Sequence, residues 1–306
     1  MILFNYILLQ SANLNLPSDS NWWLDLLNAV IGAGIGSGVT VWALYKTFKN
    51  DKQKEENKRI QIQEEKLKYL QSLVRSIEKG LALQIGHFKT FAETIKENPI
   101  VLPLLTYIPL NELDRIVHKI NQEDYYHSYL GEYGDNQNII DEFRDIISTL
   151  NYFDGNLTLI KDSLQNSFDF DHERKISLKN SIEKSMDEAA ALLINNDILV
   201  DENEFWSFIN ETMIEFHNKK SENADLEFYH ENFVEILKSG LLHFAPTIPL
   251  AHHLIIQLKN ATFLYTSIQL HNIDLAKDFD NWHQVMAEHY KTFLIRIKRL
   301  SDQNGG

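Results

Sequence analysis

Residues 46–81 read KTFKNDKQKEENKRIQIQEEKLKYLQSLVRSIEKGL, and this stretch predicts a long helix because no helix-breaking residue precedes Gly80. With Ile60 at position a of a heptad, apolar residues recur at the a and d positions. The apolar positions of this stripe are Ile60, Leu67, Leu70, Val74, Ile77 and Leu81. Such a stripe fits a parallel coiled coil between copies of the chain. It fits equally a helix that docks on the chain's own core.

The composition predicts an all-α protein. The chain has 306 residues, of which only six are proline and twelve are glycine, and no segment alternates apolar and polar residues as a strand would. Predicted helices include 138–166, 172–195, 247–271 and 275–300. Cysteine is absent, which excludes disulfides and thiolate-ligated metal ions.

Charge is distributed unevenly along the chain. Residues 1–45 contain no Lys or Arg, whereas residues 46–79 contain ten basic and six acidic residues. Residues 80–306 contain 19 basic and 35 acidic residues. Because so acidic a region repels phosphate backbones at long range, general nucleic-acid binding is not expected.

A membrane span is predicted from LLNAVIGAGIGSGVTVWALY, residues 26–45, which carry no ionisable group except the terminal tyrosine. Tryptophan and tyrosine lie near both ends of this segment, and lysines follow it at positions 46, 49, 52 and 54. By the positive-inside rule the N-terminus lies outside and the large domain lies in the cytoplasm, at a bacterial inner membrane. The predicted organisation is an extracytoplasmic segment 1–21, a transmembrane helix 22–46, a helical stalk 47–81 and an acidic helical domain 82–306.

Small residues form a stripe within this predicted span. Asn28, Gly32, Gly36 and Thr40 recur every four residues, and so share one face of a helix. Gly34 and Gly38 add a second, overlapping small-xxx-small pair. The complete set of candidate packing or pore-facing residues is Asn28, Gly32, Gly34, Gly36, Gly38 and Thr40. The stripe predicts close helix packing between copies of the chain. The alternative is that several copies turn this polar face toward a pore.

Two related strings are the best candidates for metal binding. Asp124 with His127, and Glu227 with His230, each place a carboxylate and a histidine three residues apart on one helix face, as di-iron bundles do. A di-iron site also needs two further glutamates, and the neighbouring tyrosines favour a packed aromatic surface instead. The sequence contains no Gly-x-Ser-x-Gly, phosphate-binding loop or His-Glu-x-x-His motif, so no catalytic residue and no cofactor is assigned.

An apolar loop interrupts the predicted helices at residues 99–109, PIVLPLLTYIP, because its three prolines prevent regular helix. Its side chains are expected either to be buried or to form a docking surface for a partner. Burial is the preferred interpretation of the two.

These features predict a non-enzymatic, self-associating membrane protein whose cytosolic helical domain senses a ligand or a protein partner and acts through the span. In the order of its parts, though in no specific motif, this layout is similar to that of membrane-disrupting effectors of bacterial antiphage systems. Two alternatives stay open. One is a membrane-tethered helical scaffold, and the other is a helical metalloenzyme whose catalytic residues are dispersed along the chain.

Overall fold

The computed structural model describes residues 22–194 and 203–301, and their regular structure is entirely helical. The predicted all-α class is therefore confirmed. The elements are α1 (Trp22–Glu97), α2 (Asn111–Asp114), a π-helical turn π1 (Arg115–Lys119), α3 (Gln122–Tyr133), α4 (Gln137–Ile194), α5 (Glu204–Lys219), α6 (Leu226–Tyr229), a second π-helical turn π2 (His230–Glu235), α7 (Ile236–Phe244) and α8 (Pro249–Ser301).

Helix ends follow the local chemistry of the sequence at several places. α1 ends at Glu97, directly before the predicted break at Asn98-Pro99. Asn121 and Asn203 cap α3 and α5, each through a side-chain oxygen that accepts a backbone N–H two residues later. The predicted breaks within 166–172 and 271–275 are wrong, because α4 and α8 each run through as one long helix.

The chain divides into two compact units, Met1–Glu65 and Lys66–Gly306. In the first unit, α1 is the described structure, and its described side chains are exposed with the exception of half-buried Gln63. The second unit begins at Lys66 and contains residues 66–97 of α1 together with the other elements. The sequence had predicted that the helical domain begins at residue 82.

Two hydrophobic cores lie within the second unit. The first core joins residues 67–95 of α1, residues 139–160 of α4 and residues 275–300 of α8. The second core joins residues 178–189 of α4, α5, π2, α7 and residues 251–268 of α8. Because α4 runs from the first core to the second and α8 returns, these two helices are antiparallel and both cores share them.

Side-chain pairs fix the register of α4 against α8. At the first core, Arg296 donates to Thr149 Oγ1 at 2.6 Å and pairs with Asp145 at 3.3 Å. At the second core, Asn260 donates to Ser181 Oγ at 3.3 Å. Residue numbers thus increase along α4, from Thr149 to Ser181, while those of their partners on α8 decrease, from Arg296 to Asn260, as antiparallel helices require.

The heptad stripe lies mostly inside the first core. Leu67, Leu70, Val74, Ile77 and Leu81 are each 5% exposed or less and belong to that core, whereas Ile60 is 46% exposed. The structure therefore favours docking on the chain's own core over a coiled coil between chains. From Lys66 onward, the residues of the predicted stalk 47–81 belong to the second unit. Self-association through the stalk stays a prediction.

The structure does not support the predicted transmembrane helix 22–46. Among the residues it describes, no helix combines the length and the apolar character that a bilayer crossing requires.

Candidate functional site

The predicted glycine stripe lies on the first unit. Asn28 and Thr40 are exposed on α1. Gly32, Gly34, Gly36 and Gly38 lie outside the residues whose side-chain surroundings the structure describes. Packing or pore formation by this stripe therefore stays a prediction.

Large apolar side chains are exposed along the same part of α1. Nine of them lie between residues 26 and 48, each at least 49% exposed: Leu26, Leu27, Val30, Ile31, Val41, Trp42, Leu44, Tyr45 and Phe48. The Lys46 ammonium group lies over the Trp42 ring, 5.1 Å from its centroid. An exposed apolar surface of this size indicates an interaction site.

The four candidate metal ligands lie in two separate places. Asp124 and His127 are exposed on α3, where Asp124 pairs with Lys66 at 3.0 Å. Glu227 lies on α6, and His230 begins π2 at the second core. Within residues 22–194 and 203–301, no group of three or more His, Asp or Glu side chains could hold a metal ion.

His230 instead belongs to a buried polar cluster. Its ring stacks on Tyr265, with centroids 3.8 Å apart and planes 3° apart. Its Nε2 lies 3.2 Å from Glu235 Oε1, but without the geometry of a hydrogen bond to any described residue. Lys238 and Thr262 both donate to Glu235 and complete the cluster.

Burial and charge act in opposite directions in this cluster. Burial lowers the pKa of His230, although Glu235 favours its charged form. Burial raises the pKa of Glu235, but hydrogen bonds from Lys238 and Thr262 outweigh that effect, so the pKa is lowered. At neutral pH the cluster therefore contains a neutral imidazole beside a carboxylate that is paired with Lys238.

A second polar group lies where the two cores meet, and we call it the polar junction: Asp171, Lys175, Asn272 and the Pro99 carbonyl. Asn272 is fully buried and its Nδ2 donates to Pro99 O at 2.8 Å and to Asp171 Oδ1 at 3.2 Å. Asp171 is 7% exposed and pairs with Lys175 at 2.7 Å. The junction thereby holds the start of the 99–109 loop against α4 and α8.

A cavity of about 550 Å³ lies beside the polar junction and opens to solvent on one side. We call it the lysine cavity, and its lining is Ile100, Val101, Lys175, Lys179, Ile182, Glu183, Met186, Lys220, Ala224, Asp225, Leu226 and Tyr229. The most buried of these residues, Ile100 and Ile182, are apolar, whereas Lys179 and Lys220 are exposed. The cavity therefore has an apolar interior and a charged mouth.

Residues of the apolar loop 99–109 differ widely in how far they are buried. Ile100 is 4% exposed, as the preferred burial interpretation predicted, but Leu104 is 88% exposed. The loop is held in place from α1, since His87 Nδ1 lies 2.9 Å from Thr106 O and Ile108 N donates to Gln84 Oε1 at 2.6 Å.

No protein-family model, curated protein or solved structure matches this chain. The site must therefore be interpreted from its own geometry. Sequence reasoning missed the lysine cavity. The one local signal was Lys175 and Lys179, four residues apart on a helix face, while Lys220 reaches the same cavity only through the tertiary fold.

Proposed function

We propose that this chain is a non-enzymatic, self-associating protein that the apolar end of α1 anchors to a bacterial inner membrane, with the helical body in the cytoplasm as a ligand or partner sensor. The observation that carries the proposal is the exposure of nine large apolar side chains between residues 26 and 48. Exposing this much apolar surface to water is unfavourable, so a lipid or protein environment is needed to cover it.

The lipid bilayer is the preferred environment because of what flanks the apolar segment. Trp42 and Tyr45 lie at its C-terminal end, where interfacial aromatic residues are favoured. Lys46, Lys49 and Lys52 follow immediately, which suits an anionic cytoplasmic membrane surface. Among the described residues, no helix has the length and apolar character of a membrane span. Anchoring and crossing are therefore tested separately.

Anchoring is tested by flotation of the full chain with liposomes containing anionic lipid. We expect the parent to float, and Leu27→Lys with Ile31→Lys to remain at the bottom of the gradient. The matched control places lysine at two exposed apolar positions of α4, Leu159 and Ile176, and should float like the parent. A parent that fails to float contradicts membrane anchoring.

Crossing is tested by single-cysteine labelling, which has no background because the chain contains no cysteine. Asp25→Cys and Asp51→Cys flank the apolar segment. In intact cells, an impermeant maleimide should label only the first if the N-terminus is outside. Equal protection of both positions would show that the segment lies on, and does not cross, the membrane.

We place self-association at the apolar end of α1, and the burial of the heptad positions from Leu67 onward in the chain's own core supports this choice. Light scattering of the full chain in an uncharged detergent, corrected for bound detergent, should give a defined oligomer. Gly32→Leu with Gly36→Leu should reduce it to a monomer if the stripe is a packing face. An unchanged mass would favour the tethered scaffold. Loss of ion conductance in the same variant, in reconstituted liposomes, would support the pore.

A further inference from the structure

We propose that the lysine cavity is a binding site for a small amphipathic anion, meaning a carboxylate or phosphate group on an apolar body. This inference names the ligand class of the sensing body and rests on the proposed function for its role. The binding itself can be measured without any membrane.

Size and lining support a small-molecule ligand. A cavity of about 550 Å³ falls in the usual range of ligand sites, roughly 300–1,000 Å³. Buried Ile100 and Ile182, with half-buried Met186 and Leu226, provide apolar surface for the body of the ligand. Tyr229 adds an aromatic ring at the same cavity.

The cavity lining has a larger share of basic residues than the acidic region around it. The lining contains three lysines and two acids, whereas residues 80–306 contain 19 basic and 35 acidic residues. With Lys175 neutralised by Asp171, two lysines and two acids remain, so the cavity lacks the negative excess that repels anions elsewhere in this region.

The three lysines differ in how far their charges are already neutralised. Lys175 pairs with buried Asp171 at 2.7 Å, so it is committed to the polar junction. Lys179 is 3.8 Å from Glu183, a loose pair between two exposed side chains. Lys220 lies 5.1 Å from the Tyr229 ring centroid and has no ion pair among the described residues. Lys179 and Lys220 are therefore the groups that can bind the anion.

The cavity wall is built before any ligand arrives. Asn272 holds the Pro99 carbonyl, and Asn98 Oδ1 accepts from Ile100 N at 3.2 Å, which together place Ile100 at the cavity. On the other side, Asp225 Oδ1 caps α6 by accepting from Phe228 N at 2.8 Å. A preformed wall reduces the entropy that binding would otherwise cost.

The test is isothermal titration of the full chain, in an uncharged detergent, with 1-naphthyl phosphate, 1-naphthoate, 1-naphthol and inorganic phosphate. We expect both naphthyl anions to bind, and 1-naphthol and inorganic phosphate to bind far more weakly. The preferred anion separates a phosphate ligand from a carboxylate ligand. Equal binding of inorganic phosphate, or of 1-naphthol, overturns an amphipathic-anion site.

Variants locate the site. Lys179→Ala and Lys220→Ala should each weaken binding about 10-fold, as loss of one charged contact does. Lys184→Ala is the matched control, because Lys184 lies on the same helix in a similar i,i+4 pair with Glu188 at 3.9 Å but outside the cavity lining. Equal weakening by the control overturns the assignment.

A carboxylate placed inside the cavity gives an independent test. Val101→Asp should abolish binding of either naphthyl anion, while Leu104→Asp, in the same loop but outside the cavity lining, should leave it unchanged. Retained binding in the Val101 variant overturns the site. Since flotation does not depend on the cavity, failure of this proposal and failure of membrane anchoring are distinguishable.

Discussion

The side-chain amide of Asn272 lies 3.2 Å from the carboxylate of Asp171, and both residues are almost completely buried. They join α8 to α4 at the level where the first core gives way to the second. Because a buried carboxylate must keep its partners, this pair selects one register of the two long helices. The same pair, through Pro99 and Lys175, holds the wall of the lysine cavity.

Removing the Asn272 amide should destabilise the second unit. We expect Asn272→Ala to lower the free energy of unfolding by about 1–3 kcal/mol, because Asp171 and the Pro99 carbonyl both lose a donor. Asn272→Asp should cost more at neutral pH, since it places two carboxylates together. Urea unfolding measures both. Asn260→Ala, which removes a single part-buried hydrogen bond from exposed Asn260 to Ser181, is the control and should change stability much less.

The docked heptad stripe makes a prediction about core packing. Ile77→Ala should lower the free energy of unfolding by about 2–5 kcal/mol, because Ile77 is 0% exposed in the first core. Ile60→Ala should change it by less than about 0.5 kcal/mol, because Ile60 is 46% exposed. Thermal unfolding at several protein concentrations gives the check. A midpoint for the body that rises with concentration would indicate that an inter-chain coil buries Ile77.

Two helical glycines should respond oppositely to alanine. A Cβ at Gly240 would lie 2.0 Å from Cζ of Phe208, so Gly240→Ala should cost about 1–3 kcal/mol through overpacking. A Cβ at Gly155 meets nothing within 4 Å, so Gly155→Ala should stabilise α4 by about 0.5–1 kcal/mol. Combining Gly240→Ala with Phe208→Leu should restore part of the loss. Equal effects of the two single variants in denaturant unfolding would contradict this packing.

Burial of His230 makes stability depend on pH. Because burial lowers its pKa below the usual 6.5, the unfolded chain binds a proton at a pH where the folded chain does not. The free energy of unfolding is therefore fully maintained above pH 6.5. It decreases as the pH falls toward the lowered pKa of His230 in the folded chain. The pKa of half-buried His271 is also lowered by desolvation, which adds to the loss.

His230→Phe tests this dependence, because phenylalanine keeps a ring against Tyr265 but cannot be protonated. Between pH 7 and pH 5 this variant should lose less stability than the parent, as urea unfolding at each pH would show. His127→Phe replaces an exposed histidine and should follow the parent curve. Identical pH dependence in all three proteins would contradict a role for His230.

Local sequence determined the helices well wherever one residue type decides the local conformation. Asn98-Pro99 ends α1, and the three prolines of residues 99–109 keep that loop out of helix. Periodicity also identified the heptad stripe, whose members from Leu67 to Leu81 are buried together. Propensity could not show that α4 continues through 167–171, because buried Asp171 is stabilised there by a hydrogen bond from Asn272 on α8.

The sequence by itself determined the helical class, because that class follows from composition. It also showed the apolar segment and the lysines that follow it within residues 26–54, because these depend only on neighbours along the chain. Only the tertiary structure decided what covers the heptad stripe, because the same period serves a coiled coil and a docked helix. It alone placed Lys220 beside Lys175 and Lys179, and Asn272 against Asp171. These residues are far apart along the chain. Lys220 meets the two lysines because α5 packs on α4, and Asn272 meets Asp171 because α8 packs on α4.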